Sequence, residues 1–471
     1  TQDCPRGGPE EESPRDDPGH LPPRRPRRRR HPRRTPPPRP TPPPPDPPRL
    51  PGPPRARIAG GPPPRAAGGG PPLTGCNATL AGTALPGEVD IRKLDVGAYP
   101  TEPVDIYDDY RPAFFQMDDV AAMRLADYVA TAEDVDPRMT FGSDAGSFTS
   151  GAMDSLLGRP DVTEAIAKRN KMMYGFKSEG ADRSTFILDS GWPTVSRSTP
   201  DASTVNLLVM QFPDAEAAQR SAEEFYAADF DANKDSNQPL TLTKYPKAHA
   251  HWRPSVPTAR SFVAQGPYVV GVVVTVPKPD QAALTTLAEK AFDTQLPMLD
   301  QVKPVSDEEA LHLPWDQDHI LSRTLNPSEV YKPGIGAYPG VYGRRGVLHH
   351  MSDRAQARKT FEAIGADRFA MTEAALLARA KDAASARKAV TEPLAITGMA
   401  RKADAPPNVP DSACVENRTG TGNSAQTRVK RFTCIVAYRQ YVSYLNAAQL
   451  LDAQQRAAAQ YALLANSQWQ P

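Results

Sequence analysis

Two stretches of the chain repeat the same order of elements, and this repetition limits the possible fold more than any other feature. From Thr204, TVNLLVMQF is a run of β-branched and apolar residues that predicts a strand, and Asp214 opens the helical segment after it. From Glu373, EAALLARA followed by Asp382 has the same order. In both places the carboxylate can accept hydrogen bonds from the free N–H groups of the first helical turn.

Each stretch continues into a predicted hairpin and a long helix. ARSFVAQGPYVVGVVVTV precedes DQAALTTLAEKAFDTQLPML, and RFTCIVAYRQYVSYLN precedes LLDAQQRAAAQYALLANS. The string GAYP also occurs twice, at 97–100 and at 336–339. We therefore expect an α+β fold of two similar halves, each an antiparallel sheet with helices packed on one face.

The composition changes along the chain and suggests where the domains begin and end. We expect FGSDAGSFTSGAMDSLLG, residues 141–158, to be a loop of small residues, and a helix to start at Pro160. The predicted division is a tail at 1–72, a lipobox and tether at 73–92, a first α+β domain at 93–300, a linker at 301–330 and a second α+β domain at 331–469.

Residues 1–72 are rich in proline and contain 15 arginines against 7 acidic residues. Such a segment lacks the apolar side chains for a core, so we expect a disordered, polyproline-like tail. Arginine runs can bind nucleic acid through its phosphates, but the remaining chain is acidic, with 41 basic against 48 acidic residues, so we expect no nucleic-acid partner. We expect the tail to be a wrongly assigned upstream region that stands in place of a signal peptide.

The cysteines indicate export. LTGC at 73–76 has the form of a bacterial lipobox, in which Cys76 would carry a diacylglycerol, although the apolar segment that normally precedes a lipobox is missing. Cys414 and Cys434 flank a polar, glycine-rich stretch that predicts a hairpin loop. We expect a disulfide between them, kept by an oxidising compartment, with two buried free thiols as the alternative.

One segment combines carboxylates with aromatic rings, VDIYDDYRPAFFQMDD from Val104. Rings offer an apolar face and carboxylates accept hydrogen bonds, so this segment could bind a sugar or a cation. The alternative is a solvated acidic segment with a few buried rings. The predicted ligand-binding residues are Asp105, Tyr107, Asp108, Asp109 and Tyr110.

Other motifs are weaker. His249 and His251 would lie on one side of a strand, as metal ligands sometimes do, but no third ligand is evident and a polar strand end explains them as well. His349 and His350 would point to opposite faces of a strand, which favours a structural or surface role. The glycine-rich TGTGNS at 419–424 lacks the lysine of a phosphate-binding loop, and no nucleophile elbow is present. We assign no catalytic residue, metal or cofactor.

Five motifs in one order resemble a family of uncharacterised secreted lipoproteins of mycobacteria, nocardiae and rhodococci. They are LTGC at 73–76, KLDVGAYPTEP from Lys93, LADYVATAEDVDP from Leu125, GVLHHMSD from Gly346 and DAQQRAAAQYALLANSQ from Asp452. The resemblance implies a secreted, lipid-anchored protein of the actinobacterial cell envelope, and it implies no activity.

We therefore expect a non-enzymatic ligand-binding or scaffolding module on the outer face of the cytoplasmic membrane, anchored through Cys76. Its partner would be an envelope glycan, lipid or protein. The alternative is an envelope hydrolase or transferase that acts on cell-wall glycan or lipid. An Asp from 105–119 paired with His349 or His350 in one cleft would favour that alternative.

Overall fold

The computed structural model describes residues 89–107, 117–183, 201–328, 331–335, 339–373, 375–391, 400–417 and 431–467. The predicted tail and Cys76 lie outside these residues. Among the helices of the described part, none is long and apolar enough to cross a membrane.

The first half forms an antiparallel sheet of seven strands within the described residues. The strands are β1 (Phe141–Phe148), β2 (Tyr174–Ala181), β3 (Thr204–Gln211), β4 (Gln238–Pro239), β5 (His249–Arg253), β6 (Val256–Gln265) and β7 (Tyr268–Thr275). The helices are α1 (Met117–Ala126), α2 (Ala132–Val135), α3 (Pro160–Arg169), α4 (Ala215–Asp231) and α5 (Gln281–Leu299). Neighbouring strands follow the order β1-β2-β3-β7-β6-β5-β4.

The described part of the second half forms another antiparallel sheet of seven strands. Its strands are β8 (Gly340–Tyr342), β9 (Arg368–Met371), β10 (Ala375–Arg379), β11 (Ala400–Ala403), β12 (Ser412–Asn417), β13 (Phe432–Tyr438) and β14 (Tyr441–Ala447). Its helices are α6 (Asp307–Ala310), α7 (Arg344–Leu348), α8 (Arg354–Ala363), α9 (Ala383–Thr391) and α10 (Leu450–Asn466).

The second sheet has the order β8-β9-β10-β14-β13-β12-β11, which is the strand order of the first sheet when β8 is equated with β1. The predicted internal repeat and the α+β fold class are therefore confirmed. One detail differs, because helices cover both faces of each sheet. In β3, Val205, Leu207 and Val209 pack into the core that includes α5, whereas Leu208 and Met210 pack into the core that includes α4.

The two predicted helix caps are present. The Asp214 carboxylate accepts a hydrogen bond from the N–H of Ala217 at 2.7 Å, and the Asp382 carboxylate accepts one from the N–H of Ser385 at 2.7 Å. These short side chains satisfy donors that the first turn of α4 and of α9 leaves free. The repeated sequence pattern thus fixes the start of an equivalent helix in each half.

The segment predicted as a loop at 141–158 contains a strand, so that prediction was wrong. Residues 141–148 form β1 at the edge of the first sheet, paired with β2. An edge strand gains its stability from main-chain hydrogen bonds on one side and does not need alternating apolar residues. Phe148 packs over Gly175 of β2, where a Cβ would come within 2.4 Å of the ring.

Cys414 and Cys434 are direct cross-strand partners on β12 and β13, and they form a disulfide. The predicted disulfide is thus present in the structure. The residues between these strands, 418–430, lie outside the described part and include the TGTGNS segment.

Candidate ligand-binding cleft

The predicted acidic and aromatic site is described only in part. Tyr107 is buried, its hydroxyl accepts a hydrogen bond from Asn326 Nδ2 at 3.0 Å, and its ring meets Trp315 edge-on at 4.8 Å. Burial raises the pKa of the Tyr107 hydroxyl. Asp105 begins a short 3₁₀ turn that ends at Tyr107, but its side chain, like Asp108, Asp109 and Tyr110, lies outside the described residues. Tyr107 thus packs in the second half's core, and the ligand role of the segment stays a prediction.

His249 and His251 lie on one side of β5, where both contact the ring of Tyr226. His251 is buried, its Nε2 is 3.5 Å from a carboxylate oxygen of Asp229, and burial lowers the His251 pKa to about 4. Within the described ranges, no three His, Cys, Asp or Glu side chains are grouped so that they could hold a metal ion. The two histidines therefore pack helix α4 against the sheet.

His349 and His350 follow α7 rather than lying on a strand. His349 Nδ1 is 2.8 Å from Ser178 Oγ, and Nε2 is 3.0 and 3.1 Å from the carbonyl oxygens of Ala126 and Val129. The carbonyls require a proton on Nε2, so Nδ1 accepts the hydrogen bond from the Ser178 hydroxyl. Burial, with Arg354 nearby, holds the His349 pKa well below its usual range, which keeps the ring neutral.

A serine hydrogen-bonded to an oriented histidine is the geometry of an activated nucleophile. Here, however, Ser178 is 1% exposed and His349 3% exposed. A substrate cannot reach either side chain. The pair instead serves as a tie, by which we mean a buried hydrogen bond that joins the two halves. Ser178 belongs to β2 of the first half, whereas His349 belongs to the second.

Arg354 makes a second tie between the halves. It is fully buried, and its guanidinium donates to the carbonyl oxygens of Leu348 at 3.2 Å and of Glu179 at 2.9 Å. Two glycines of the first half give it room, since a Cβ on Gly142 would lie 2.8 Å from Nε and a Cβ on Gly180 would lie 2.6 Å from Nη1. The main chain adds bonds here, from Gly142 N–H to the Ser352 carbonyl at 3.0 Å and from Arg354 N–H to the Thr140 carbonyl at 2.8 Å.

A cleft in the second half has a volume of about 700 Å³. It is formed by the loop before residue 320, the end of β10, the turn between β13 and β14, and the end of α10. The lining residues are Asp318, His319, Arg323, Arg379, Tyr438, Arg439, Gln440, Tyr441, Leu464 and Ser467.

The turn between β13 and β14 places Arg439 at the cleft. Tyr438 and Tyr441 pair across the hairpin, so only Arg439 and Gln440 form the turn, and Arg439 has a φ of +51°. Glycine is preferred where the first residue of a two-residue turn has a positive φ. The equivalent turn of the first half obeys this rule with Gly266, at a φ of +53°. The second half therefore carries a cationic side chain at a backbone position that disfavours it.

Asp318 connects three arginines around the cleft. Its carboxylate Oδ2 accepts from Arg368 Nε at 3.0 Å and lies 3.2 Å from Arg379 Nη1, and its main-chain carbonyl accepts from Arg323 Nη1 at 3.2 Å. Arg323 also donates to the Tyr441 hydroxyl at 3.0 Å. These bonds hold the guanidinium groups in fixed positions.

The lining residues carry three arginines against one carboxylate, which makes the cleft cationic. Guanidinium groups bind carboxylate and phosphate oxygens through paired hydrogen bonds, and held in place they lose less entropy on binding. The Ser467 hydroxyl donates to the Leu463 carbonyl at 2.6 Å, and the Tyr441 hydroxyl is bonded to Arg323. The arrangement suits binding of an anion better than activation of a nucleophile.

Sequence reasoning missed this cleft because its residues come from four separated segments between 318 and 467. The only local signal was YRQY at 438–441, where Arg439 stands at the position that Gly266 occupies in the other hairpin. Only an alignment of the two hairpins shows that Arg439 replaces a glycine at a turn position that requires a positive φ.

Comparison with protein families gave two matches that together cover most of the chain. Residues 108–315 match the domain of unknown function DUF7373, N-terminal, and residues 320–467 match the corresponding C-terminal domain. Neither the curated proteins nor the solved structures gave a match.

Proposed function

We propose that this chain, which belongs to the DUF7373 family and carries both its N-terminal and its C-terminal domain, is a lipid-anchored extracytoplasmic protein whose second half binds an anionic ligand. The ligand's oxygens would contact the arginines of the cleft, and its body would lie against Tyr438 and Tyr441. On this proposal the first half acts as a scaffold.

The presence of Arg439 is the observation that carries the proposal. A left-handed backbone costs an L-residue with a Cβ about 1–2 kcal/mol, which a glycine avoids. Strained backbone of this kind concentrates at functional sites. The repeat provides an internal comparison, since the equivalent turn position in the first half is occupied by Gly266 and not by an arginine. A cation at that cost in the lining of a cationic cleft supports a binding role.

The disulfide supports an extracytoplasmic location, because such bonds persist in oxidising compartments. The proposed anchor is Cys76 of the LTGC motif. A diacylglycerol on this cysteine would hold the protein stably, since two acyl chains bind a membrane far better than one. The protein would then work beside anionic headgroups and charged envelope polymers.

Binding is favoured over the alternative of an envelope hydrolase or transferase. Two histidines could pair with an acidic residue of 105–119. His349 is bonded to Ser178 and to main-chain carbonyls, and the ring of His350 packs 4.8 Å from that of Tyr342, with burial lowering the His350 pKa to about 4. Asp119 accepts instead from the Ser147 hydroxyl at 2.7 Å. None of these arrangements provides an accessible acid or base.

The test is binding of inorganic phosphate to the full chain, measured by calorimetry at constant ionic strength. We expect Arg439→Gly to weaken phosphate binding at least fivefold. The control is Arg387→Gln, which removes an exposed arginine of α9 that is not among the lining residues of the cleft and should leave affinity unchanged. Equal affinities of the wild type and of Arg439→Gly, or loss of affinity in both variants, would refute the cleft as the binding site.

The anchor is tested separately by intact mass and detergent partitioning of the protein from its own membrane. We expect acyl mass and detergent partitioning for the native protein and neither for Cys76→Ala. A native protein without acyl mass would contradict lipid anchoring while leaving the cleft untouched.

A further inference from the structure

The carboxylate of Asp318 stands where an oxyanion would bind. One oxygen, Oδ2, lies within 3.2 Å of donors from both Arg368 and Arg379, at the wall of the cleft. The side chain is 42% exposed, so a ligand entering from solvent can reach it. Charge-assisted hydrogen bonds from guanidinium groups are among the strongest contacts that proteins make to carboxylate and phosphate oxygens.

Both arginines also have partners other than Asp318 that position them. Arg379 is held by Asp367, to which its Nε and Nη2 donate at 2.8 and 2.9 Å. Arg368 Nη1 donates to the side-chain oxygen of Gln317 at 2.9 Å. If the Asp318 side chain moved away, Asp367 would still hold Arg379 Nη1 near the position that the Asp318 oxygen now occupies, and Arg368 Nε would stay there provided that Gln317 keeps its place when residues 318 and 319 move.

The backbone at Asp318 is suited to such a change. Asp318 and His319 have φ values of +60° and +52°, so two successive residues with a Cβ are in the left-handed region. That region is less favourable for both than the ordinary helical or extended regions. A movement that returned them to ordinary φ values would offset part of the loss of the Asp318 ion pairs.

We infer that Asp318 is an internal occupant of the cleft's anion position, and that a ligand carrying a carboxylate or phosphate group replaces it between Arg368 and Arg379. This inference rests on the proposed function, because it concerns the same cleft. It narrows the ligand to an oxyanion in which one oxygen can accept from two guanidinium groups. It also makes Asp318 a competitor that lowers the cleft's affinity.

The test compares two variants that remove one negative charge each, measured as phosphate affinity of the full chain at constant ionic strength. Asp318→Ala vacates the anion position, and we expect it to bind inorganic phosphate at least fivefold more tightly than the wild type. Asp367→Ala makes the same change in net charge but releases Arg379, so we expect no tightening. Asp318→Gly, which keeps the left-handed backbone accessible, should behave like Asp318→Ala.

The outcomes separate the two proposals. If the wild type binds phosphate and Asp318→Ala binds equally or more weakly, Asp318 is a positioning residue, so the inference is overturned while the proposed function stands. If Asp318→Ala and Asp367→Ala tighten binding to the same extent, net charge alone explains the effect and the inference is again overturned. If none of the proteins binds phosphate or phosphate-bearing vesicles, both proposals fail.

The same oxyanion could belong to a free solute or to a lipid headgroup. The second arm therefore uses vesicles of phosphatidylcholine with and without phosphatidic acid, and a Cys76→Ala background to remove any anchor. Tighter binding by the Asp318→Ala variant to phosphatidic acid vesicles supports the inference with a lipid ligand. Tightening with inorganic phosphate alone supports it with a small soluble ligand.

Discussion

At the scale of single residues, the molecule places charge where it costs stability. Arg439 has a left-handed backbone, Arg354 is fully buried, and Asp118 lies partly buried beside other acids. Arg354 compensates by donating to main-chain carbonyls and ties the two halves. The Arg439 guanidinium lies 5.8 Å from the centre of the Tyr438 ring, and Asp118 is surrounded by other carboxylates, which makes these two residues the positions where substitution is most informative.

Replacing Arg439 with glycine should separate stability from binding. The glycine relieves the left-handed strain, and after allowing for its greater freedom in the unfolded chain we expect a gain of about 0.5 kcal/mol in the free energy of unfolding. Urea denaturation measures this gain, and phosphate calorimetry on the same sample measures the loss of affinity. A less stable variant with unchanged affinity would contradict the assignment of Arg439 to the cleft.

Asp118 should make stability depend on pH. Burial, with Asp119 and Asp307 nearby, raises the pKa of Asp118 from 3.8 to about 6. Folding therefore favours the protonated carboxyl, and this contribution is complete below about pH 4 and is lost as pH rises through 6. We expect Asp118→Asn to leave stability unchanged at pH 4 and to raise it by about 1 kcal/mol at pH 8, allowing for solvent screening.

Urea denaturation at both pH values measures that difference, with the exposed Asp235→Asn as the control. An equal effect of Asp118→Asn at the two pH values would show that the carboxyl does not titrate in this range.

At the scale of elements, the helix starts and the repeat could be predicted from the sequence, whereas the edge strand, the covered second face of each sheet and the cleft could not. Asp214 and Asp382 were recognised as caps because a helix start depends on a few adjacent residues. Strand β1 was missed because an edge strand shows no apolar alternation. The helices on both faces were missed although β3 is buried at all eight positions, which is the pattern of a strand covered on both sides. The cleft could not be predicted because four elements that are far apart in the sequence form it.

The disulfide joins the adjacent strands β12 and β13 and closes a segment with a sequence separation of 20 residues. Loss of this link increases the freedom of the unfolded chain, so we expect Cys434→Ser to lower the free energy of unfolding by about 3 kcal/mol. Guanidinium denaturation with and without reductant measures the loss. The reductant should destabilise the wild type and leave Cys434→Ser unchanged, and any further loss in the variant would contradict the assignment.

At the scale of the whole molecule, two sheets of the same strand order are held together by buried polar contacts. These contacts include Ser178 with His349, Arg354 with the Glu179 carbonyl, the start of β1 with residues 352–354, and the Asp127 carboxylate with the N–H groups of Gly343 and Gly346. Buried hydrogen bonds of this kind require defined positions, because an unsatisfied donor or acceptor costs about 1–3 kcal/mol. They fix one docking of the halves, whereas apolar contacts alone tolerate several.

A substitution at the junction tests this role. In Gly142→Ala the new Cβ would lie 2.4 Å from the Met351 carbonyl oxygen, so β1 or the segment after α7 must move. We expect a loss of about 2–3 kcal/mol, as for other overpacked sites. Thermal unfolding measures it, with Gly151→Ala as the control because nothing lies within 4 Å of a Cβ there. Similar effects of the two substitutions would argue against a tightly defined junction.

The absence of interleaving between the described strands has a consequence for the order of events during synthesis. Every strand of the first sheet comes from residues 141–275, and every strand of the second comes from residues 340–447. Domains generally fold as units, from the N-terminus onward, as the chain emerges. The first sheet can therefore form before the second has been synthesised. At that stage Ser178 and the edge of β1 lack the contacts that they make with the second half in the complete structure. The junction forms when His349 and Arg354 have been synthesised and can bond to the first half. Docking of the two halves therefore follows the folding of the first half.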